Sequence, residues 1–148
     1  MILPSLISNQ FLKLYIDVLE TVDAKSNGKF PEFVNARDEL MNNKSKYKTI
    51  SPNSDLRTAI KSALLDDYIV VKLGKRKCVF MDSNNNFHHV IGITQELCDV
   101  LSQWEIIQTV TMDYCGYHIC DGLVKRSNIY IGPSMAKKIT SDYKITKK

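Results

Sequence analysis

The chain has 148 residues, 44% of them hydrophobic and 24% charged, with a formal net charge of +4. This is the size and composition of one ordinary globular domain, which excludes extended disorder and a miniature fold dependent on disulfides or metal. No apolar run approaches the ~20 residues that span a bilayer.

The apolar start, residues 1–7, lacks the basic region and small-residue cleavage site of a signal peptide. Without an export signal, Cys78, Cys98, Cys115 and Cys120 read as reduced thiols, and the expected location is cytoplasmic. The first forty residues are balanced or slightly acidic. From Lys125 onward, seven basic residues face Asp142 alone.

From Leu6 to Val22, apolar residues recur at Leu6, Ile7, Phe11, Leu14, Tyr15, Val18, Leu19 and Val22, the stripe of an amphipathic helix. Ser26-Asn27-Gly28 ends it. Pro31 then opens a second helix, with Glu32 at its positive end and a face of Phe33, Val34, Leu40 and Met41. Residues 42–51 read as a Lys-rich loop. Pro52, Asn53 and Ser54 start a third helix that buries Leu56, Ala59, Ile60, Ala63 and Leu64.

The character changes at Asp66-Asp67. Residues 68–73 are β-branched and aromatic, Gly74-Lys75-Arg76 reads as a hairpin turn, and residues 78–81 return. After the turn at residues 83–86, residues 88–93 complete a meander. Thr94 is placed to cap a short helix through Leu97, Cys98, Leu101 and Trp104, with Trp104 read as core. Residues 105–112 and 117–124 form a second hairpin about Cys115-Gly116. Residues 125–127 read as a turn, 128–131 as a last strand, and 134–144 as a C-terminal helix followed by a frayed end.

The resulting expectation is an α+β fold, with N-terminal helices packed on a C-terminal antiparallel sheet or small open β-barrel and a C-terminal helix. It is one domain, 1–148, with a helical portion (1–65), a β-rich portion (66–132), and a helix with a basic tail (133–148).

The strands at residues 68–72, 79–80, 90–93 and 109–112, the step Ile119-Cys120-Asp121-Gly122-Leu123, and the final Ile129-Tyr130-Ile131-Gly132 carry a family likeness. Over residues 66–145 the chain resembles a set of uncharacterised bacterial proteins. Their β-rich C-terminal part carries an Asp-Gly-Leu or Asp-Gly-Ile step and a last strand ending in Gly. The resemblance implies a bacterial or phage origin and no particular activity.

Three chemistries are open to the residues. The run Cys115-Gly116-Tyr117-His118-Ile119-Cys120-Asp121 can supply zinc ligands, with Cys78 or Cys98 as a fourth, in a zinc-stabilised nucleic-acid-binding domain. It lacks a Cys-x-x-Cys knuckle, however, and buried cysteines are ordinary core residues. A small hydrolase-like enzyme can be built on His118, Asp121 and Cys115, with His88 or His89 as an alternative base and Glu105 or Asp113 as a second carboxylate. Against that, Asp-Gly within a strand usually marks a bulge. No glycine-rich phosphate loop is present, and no metal or cofactor is expected.

The third reading is a non-catalytic binding module that docks on a protein or nucleic-acid partner, with oligomeric state left open. Its contact residues are Lys72, Lys75, Arg76, Lys77, Lys125, Arg126, Lys137 and Lys138, with Lys44, Lys46 and Lys48 nearby in sequence and Tyr47, Tyr130 or Tyr143 for stacking. This reading leads. A role in bacterial or phage defence or counter-defence follows only from the expected origin. Lysines in turns also serve simply as solvated, aggregation-resisting charges.

Overall fold

The computed structural model of the protein describes residues 1–25 and 33–146. The turn at Ser26-Asn27-Gly28, Pro31, Glu32 and the last two lysines lie outside the described residues. Helix α1 spans Ser5–Lys25 and buries Phe11, Tyr15, Val18, Leu19 and Val22, the stripe its spacing dictates. Helix α2, Phe33–Asn42, buries Ala36, Arg37, Leu40 and Met41, while Phe33 remains exposed. Within residues 42–51, a 3-10 turn at Lys44–Tyr47 buries Tyr47, so this segment is not wholly irregular.

Helix α3, Ser54–Ser62, starts where Asn53 accepts a hydrogen bond from the Leu56 amide, a side-chain N-cap. It stops two residues short of expectation, because Ala63 is already extended and Leu64 opens a strand. The reason is tertiary. Strand β1, Leu64–Leu73, pairs antiparallel with β4, Glu105–Tyr114, from Leu64↔Thr111 to Ile69↔Ile106. Asp66 and Asp67 are carried within that ladder.

Strands β2 (Cys78–Met81) and β3 (Phe87–Val90) continue the meander. The third strand is shorter than its apolar run, although Ile91 and Gly92 carry on as isolated parallel bridges to Ile119 and Ile2. The expected helix after Thr94 is a single 3-10 turn, Leu97–Asp99, with no side-chain cap. Trp104 adopts φ 69° where the chain reverses into β4. It is half-buried, packed against the core beneath the C-terminal helix.

Strand β5, Tyr117–Cys120, pairs with β4 through the two-residue turn Cys115-Gly116, both at positive φ. Residues 125–127 do not turn. The chain leaves β5 at Asp121, bends at Gly122 (φ 83°) and resumes as β6, Lys125–Tyr130, which pairs with the first half of β4. Helix α4, Pro133–Thr146, closes the described chain.

The sheet runs β3-β2-β1-β4-β5 and curls until β3 meets β5 in parallel. Ile91 donates to the His118 carbonyl and Cys120 donates to the Ile91 carbonyl, each at 3.1 Å. Three cores follow from this curl. Tyr68, Val70, Cys78, Phe80, Val90, Ile107 and Cys120 fill the inside, joined by Leu97 and Leu101. Val110, Met112, Tyr114 and Ile119 face α1, α2 and α3. Val71, Val79 and Met81 face Ile139 and Tyr143 of α4 on the other side. The fold is thus α+β, with N-terminal helices, a curled antiparallel sheet and a C-terminal helix. Among the described residues, no helix is long and apolar enough to cross a membrane.

Candidate functional site

The β1–β2 hairpin is a local product of sequence. The Gly74 amide donates to the Lys77 carbonyl at 2.9 Å, and a bulge between Val70 and Lys72 twists the ribbon. Lys72, Lys75 and Arg76 are exposed. The Lys77 ammonium lies 5.5 Å from the centroid of the Tyr143 ring, which joins the hairpin to α4. The Met1 α-ammonium contacts the Lys75 carbonyl and the Glu96 carboxylate. Lys137, Lys138 and Lys144 are exposed on α4, whose attachment rests on Ile139 and Tyr143.

The structure separates the other basic pair from this group. Lys125 meets Asp38 of α2 at 3.0 Å. Arg126 grips Glu105 through two nitrogens, at 2.9 and 2.7 Å, and Glu105 is almost wholly buried. Both cations therefore face carboxylates of their own chain. Tyr47 and Tyr143 are core residues, whereas Tyr130 is exposed.

The enzyme candidates are dispersed. Asp121 is buried and accepts from the Tyr15 hydroxyl at 2.7 Å, the Leu123 amide at 3.0 Å and the Thr109 hydroxyl at 3.3 Å. Arg37, also fully buried, faces both of its oxygens at 3.3 and 3.4 Å and donates to the Leu123 carbonyl. Burial pushes the Asp121 carboxyl up, opposed chiefly by Arg37, and burial also raises the Tyr15 hydroxyl well above its ordinary range. This network ties α1 and α2 to the bend after β5. Nothing in the Asp-Gly step singles out Arg37 or Tyr15 as its partners, since they lie 84 and 106 residues away.

His118 belongs to a different group. Its Nδ1 contacts Asp113 at 2.6 Å and its Nε2 contacts His88 Nδ1 at 3.1 Å, while His88 Nε2 contacts Asp82 at 2.8 Å. Asp82, His88, His118 and Asp113 thus form one chain across the junction of β3 and β5. The two ring centroids are 5.3 Å apart with planes inclined at 17°, so the imidazoles meet end to end along the nitrogen–nitrogen line. With a proton on each nitrogen that faces a carboxylate, the central contact is a hydrogen bond only if the rings share one further proton. The Asp82 carboxyl is raised by desolvation, but the His88 contact and the Asn86 and Asn84 amides outweigh this and hold it below its ordinary value.

The thiols do not converge. Cys120 lies inside the sheet, contacts Thr109 at 3.5 Å and is pushed up to about 11 by burial, with Asp121 adding to the effect. Cys78 is also buried, Cys115 is exposed in the β4–β5 turn, and Cys98 sits in the 3-10 turn. Among the described residues, no group of three or more His, Cys, Asp or Glu can hold a metal ion. No family model matches the chain, and no curated protein or solved structure matches it either.

Proposed function

We propose that the chain is a non-catalytic binding module that docks on single-stranded nucleic acid through the β1–β2 hairpin and the outer face of α4. One observation carries this reading. Lys72, Lys75 and Arg76 are exposed on one hairpin, and among the described residues none is in ion-pair range of a carboxylate, unlike Lys125 and Arg126. Positive charge without an internal partner is available to neutralise phosphates. Arg76 adds a planar guanidinium that can stack on a base.

The strand order supports the same partner by analogy. A meander β1-β2-β3, a hairpin β4-β5, and β3 beside β5 resemble the five-stranded Greek-key barrel of the OB-fold. That fold binds oligonucleotides through its β2–β3 face and its β1–β2 and β4–β5 loops. The likeness is one of topology, and function has to be argued from the site. Here α4 covers Val79 and Met81 of β2, and the β4–β5 turn has only two residues. The hairpin and the exposed lysines of α4 are the parts left to make contact.

The test is fluorescence anisotropy with a labelled oligothymidylate over a range of salt. Affinity should fall with a log–log slope of about −0.7 for each phosphate neutralised. Reversing Lys75 and Arg76 to Glu should weaken binding and flatten that slope. Undetectable binding at low salt would overturn the nucleic-acid reading and leave a protein as the partner of this surface.

A further inference from the structure

A cleft of about 420 Å³ lies between the 3-10 turn at Lys44–Tyr47 and helix α3. That volume is within the ~300–1,000 Å³ range of small-molecule pockets. Tyr47 and Ile60, both buried, form its floor, and Ile50 forms one wall. The Tyr47 ring is held in place, because its hydroxyl donates to Glu39 at 2.9 Å and the Lys46 ammonium sits 5.3 Å from its centroid.

Lys48, Arg57 and Lys61 line the same cleft and are exposed. Their methylene stems extend the apolar walls, while their heads reach water. Among the described residues, no acidic residue lines the cleft and none of the three cations has an ion-pair partner. Arg57 is oriented through one nitrogen, which donates to the Ser51 carbonyl at 2.9 Å. Lys44 plays another part. Its ammonium bonds the Ala63 carbonyl and lies 3.3 Å from that of Lys61, where the last carbonyls of α3 lack helical partners. Burial pulls its pKa down. Lys44 therefore serves the helix end, and the other three cations remain available to a ligand.

We propose that this cleft binds a small amphipathic anion, an apolar chain or ring system bearing one carboxylate or phosphate head. A bare inorganic anion would leave the apolar floor uncovered. A neutral hydrocarbon would bring no countercharge to a three-cation rim. The combination of apolar depth and cationic mouth favours a ligand with both parts. The inference is independent of the hairpin reading, since it uses other residues in another layer of the fold.

The test is titration of the folded protein with 8-anilinonaphthalene-1-sulfonate, followed by competition with decanoate and with decanol. Fluorescence should rise saturably, and decanoate should displace the dye about tenfold more effectively than decanol. Reversing Arg57 and Lys61 to Glu should weaken dye binding about tenfold in a protein that still unfolds cooperatively in urea, whereas reversing Lys137 and Lys138 should leave dye binding unchanged. Thr58→Trp, which places bulk in the cleft from an exposed position, should abolish binding without unfolding the chain. Non-saturable fluorescence, equal displacement by decanol, or undiminished affinity in the rim or Thr58→Trp variants would each overturn the proposal.

Discussion

Removing the charge of Asp121 should destabilise the protein more than any surface substitution, and the size of the loss follows from its surroundings. Asp121 and Arg37 are both fully buried, and breaking such a pair from one side costs about 3–5 kcal/mol, because it leaves a buried charge uncompensated. In Asp121→Asn, Arg37 keeps Asp38 at 2.9 Å, so the expected cost is at the lower end, about 3 kcal/mol. For a chain of this length that is a fall in Tm of roughly 6–12 °C. Arg37→Met leaves the carboxylate with Tyr15, Thr109 and the Leu123 amide but no cation.

The double variant Arg37→Met/Asp121→Asn buries no charge at this site; its one oxygen can accept from the Leu123 amide while its NH2 donates to the Tyr15 hydroxyl, which then acts as acceptor. It should therefore cost less than the sum of the two single changes, by about 2–3 kcal/mol. Urea denaturation of the four proteins, with m-values compared, gives the cycle. Single changes each costing under about 1 kcal/mol, or additivity within about 0.5 kcal/mol, would refute the claim that this pair fixes the helices to the sheet. The pH dependence supplies a second check. Burial already holds the Asp121 carboxyl above its ordinary value, and losing Arg37 removes the main opposing influence. A carboxyl raised in the folded state binds more protons there than when unfolded. Arg37→Met should therefore lose stability relative to the parent as pH rises above about 4.

Asp82 gives the opposite sign. Its folded value is held below the ordinary carboxylate range, so the stability it contributes is present above about pH 4 and is lost as pH falls through that lower value. Asp82→Asn should lower neutral-pH stability by about 1.5–3 kcal/mol and flatten the acid limb of a stability–pH curve, as urea midpoints from pH 2 to 7 would show. Gly92→Ala should cost about 1–3 kcal/mol, because a Cβ there would come within 2.0 Å of the Gln95 carbonyl oxygen. It should also speed amide exchange at Leu3, which donates to the Gly92 carbonyl. In thiol labelling followed by mass spectrometry at neutral pH, Cys98 and Cys115 should react slowly, and Cys78 and Cys120 only on unfolding. Rapid labelling of Cys115 in the native fold would revive the nucleophile reading.

The elements most legible in the sequence are those whose own pattern outweighs their neighbours. The stripe of α1, the Asn53 cap and the Gly74 hairpin all depend on spacings of a few residues. The failures share one cause, a partner distant along the chain. Leu64 has the apolar character of the end of α3, yet six consecutive pairings with β4 draw it into β1. Residues 125–127 look like a polar turn, but the edge of β4 away from β1 is still open from Glu105 to Gln108 after β5 ends, and the chain fills that edge. Thr94 has the chemistry of a cap but no helix long enough to need one. Leu97 and Leu101 are held inside the curl of the sheet after a single turn.

The same rule governs the candidate site. Eight basic positions are indistinguishable as local charge, and the fold sorts them by the carboxylates it brings near. Glu105 reads as the polar start of a strand, but once almost fully buried it requires a cation, and the register of β6 delivers Arg126 to both of its oxygens. Asp38 receives Lys125 in the same way when α2 docks. The pairing of β1 with β4 stops at Ile69, and among the described residues no carboxylate is in ion-pair range of Lys72, Lys75 or Arg76, so these three keep their charge for whatever approaches from outside. If this sorting is right, neutralising Lys125 and Arg126 should act mainly on stability and neutralising Lys75 and Arg76 mainly on oligonucleotide affinity. Urea midpoints and anisotropy on the two double-alanine variants would show that separation, and its reversal would mean the partner docks on β6 instead.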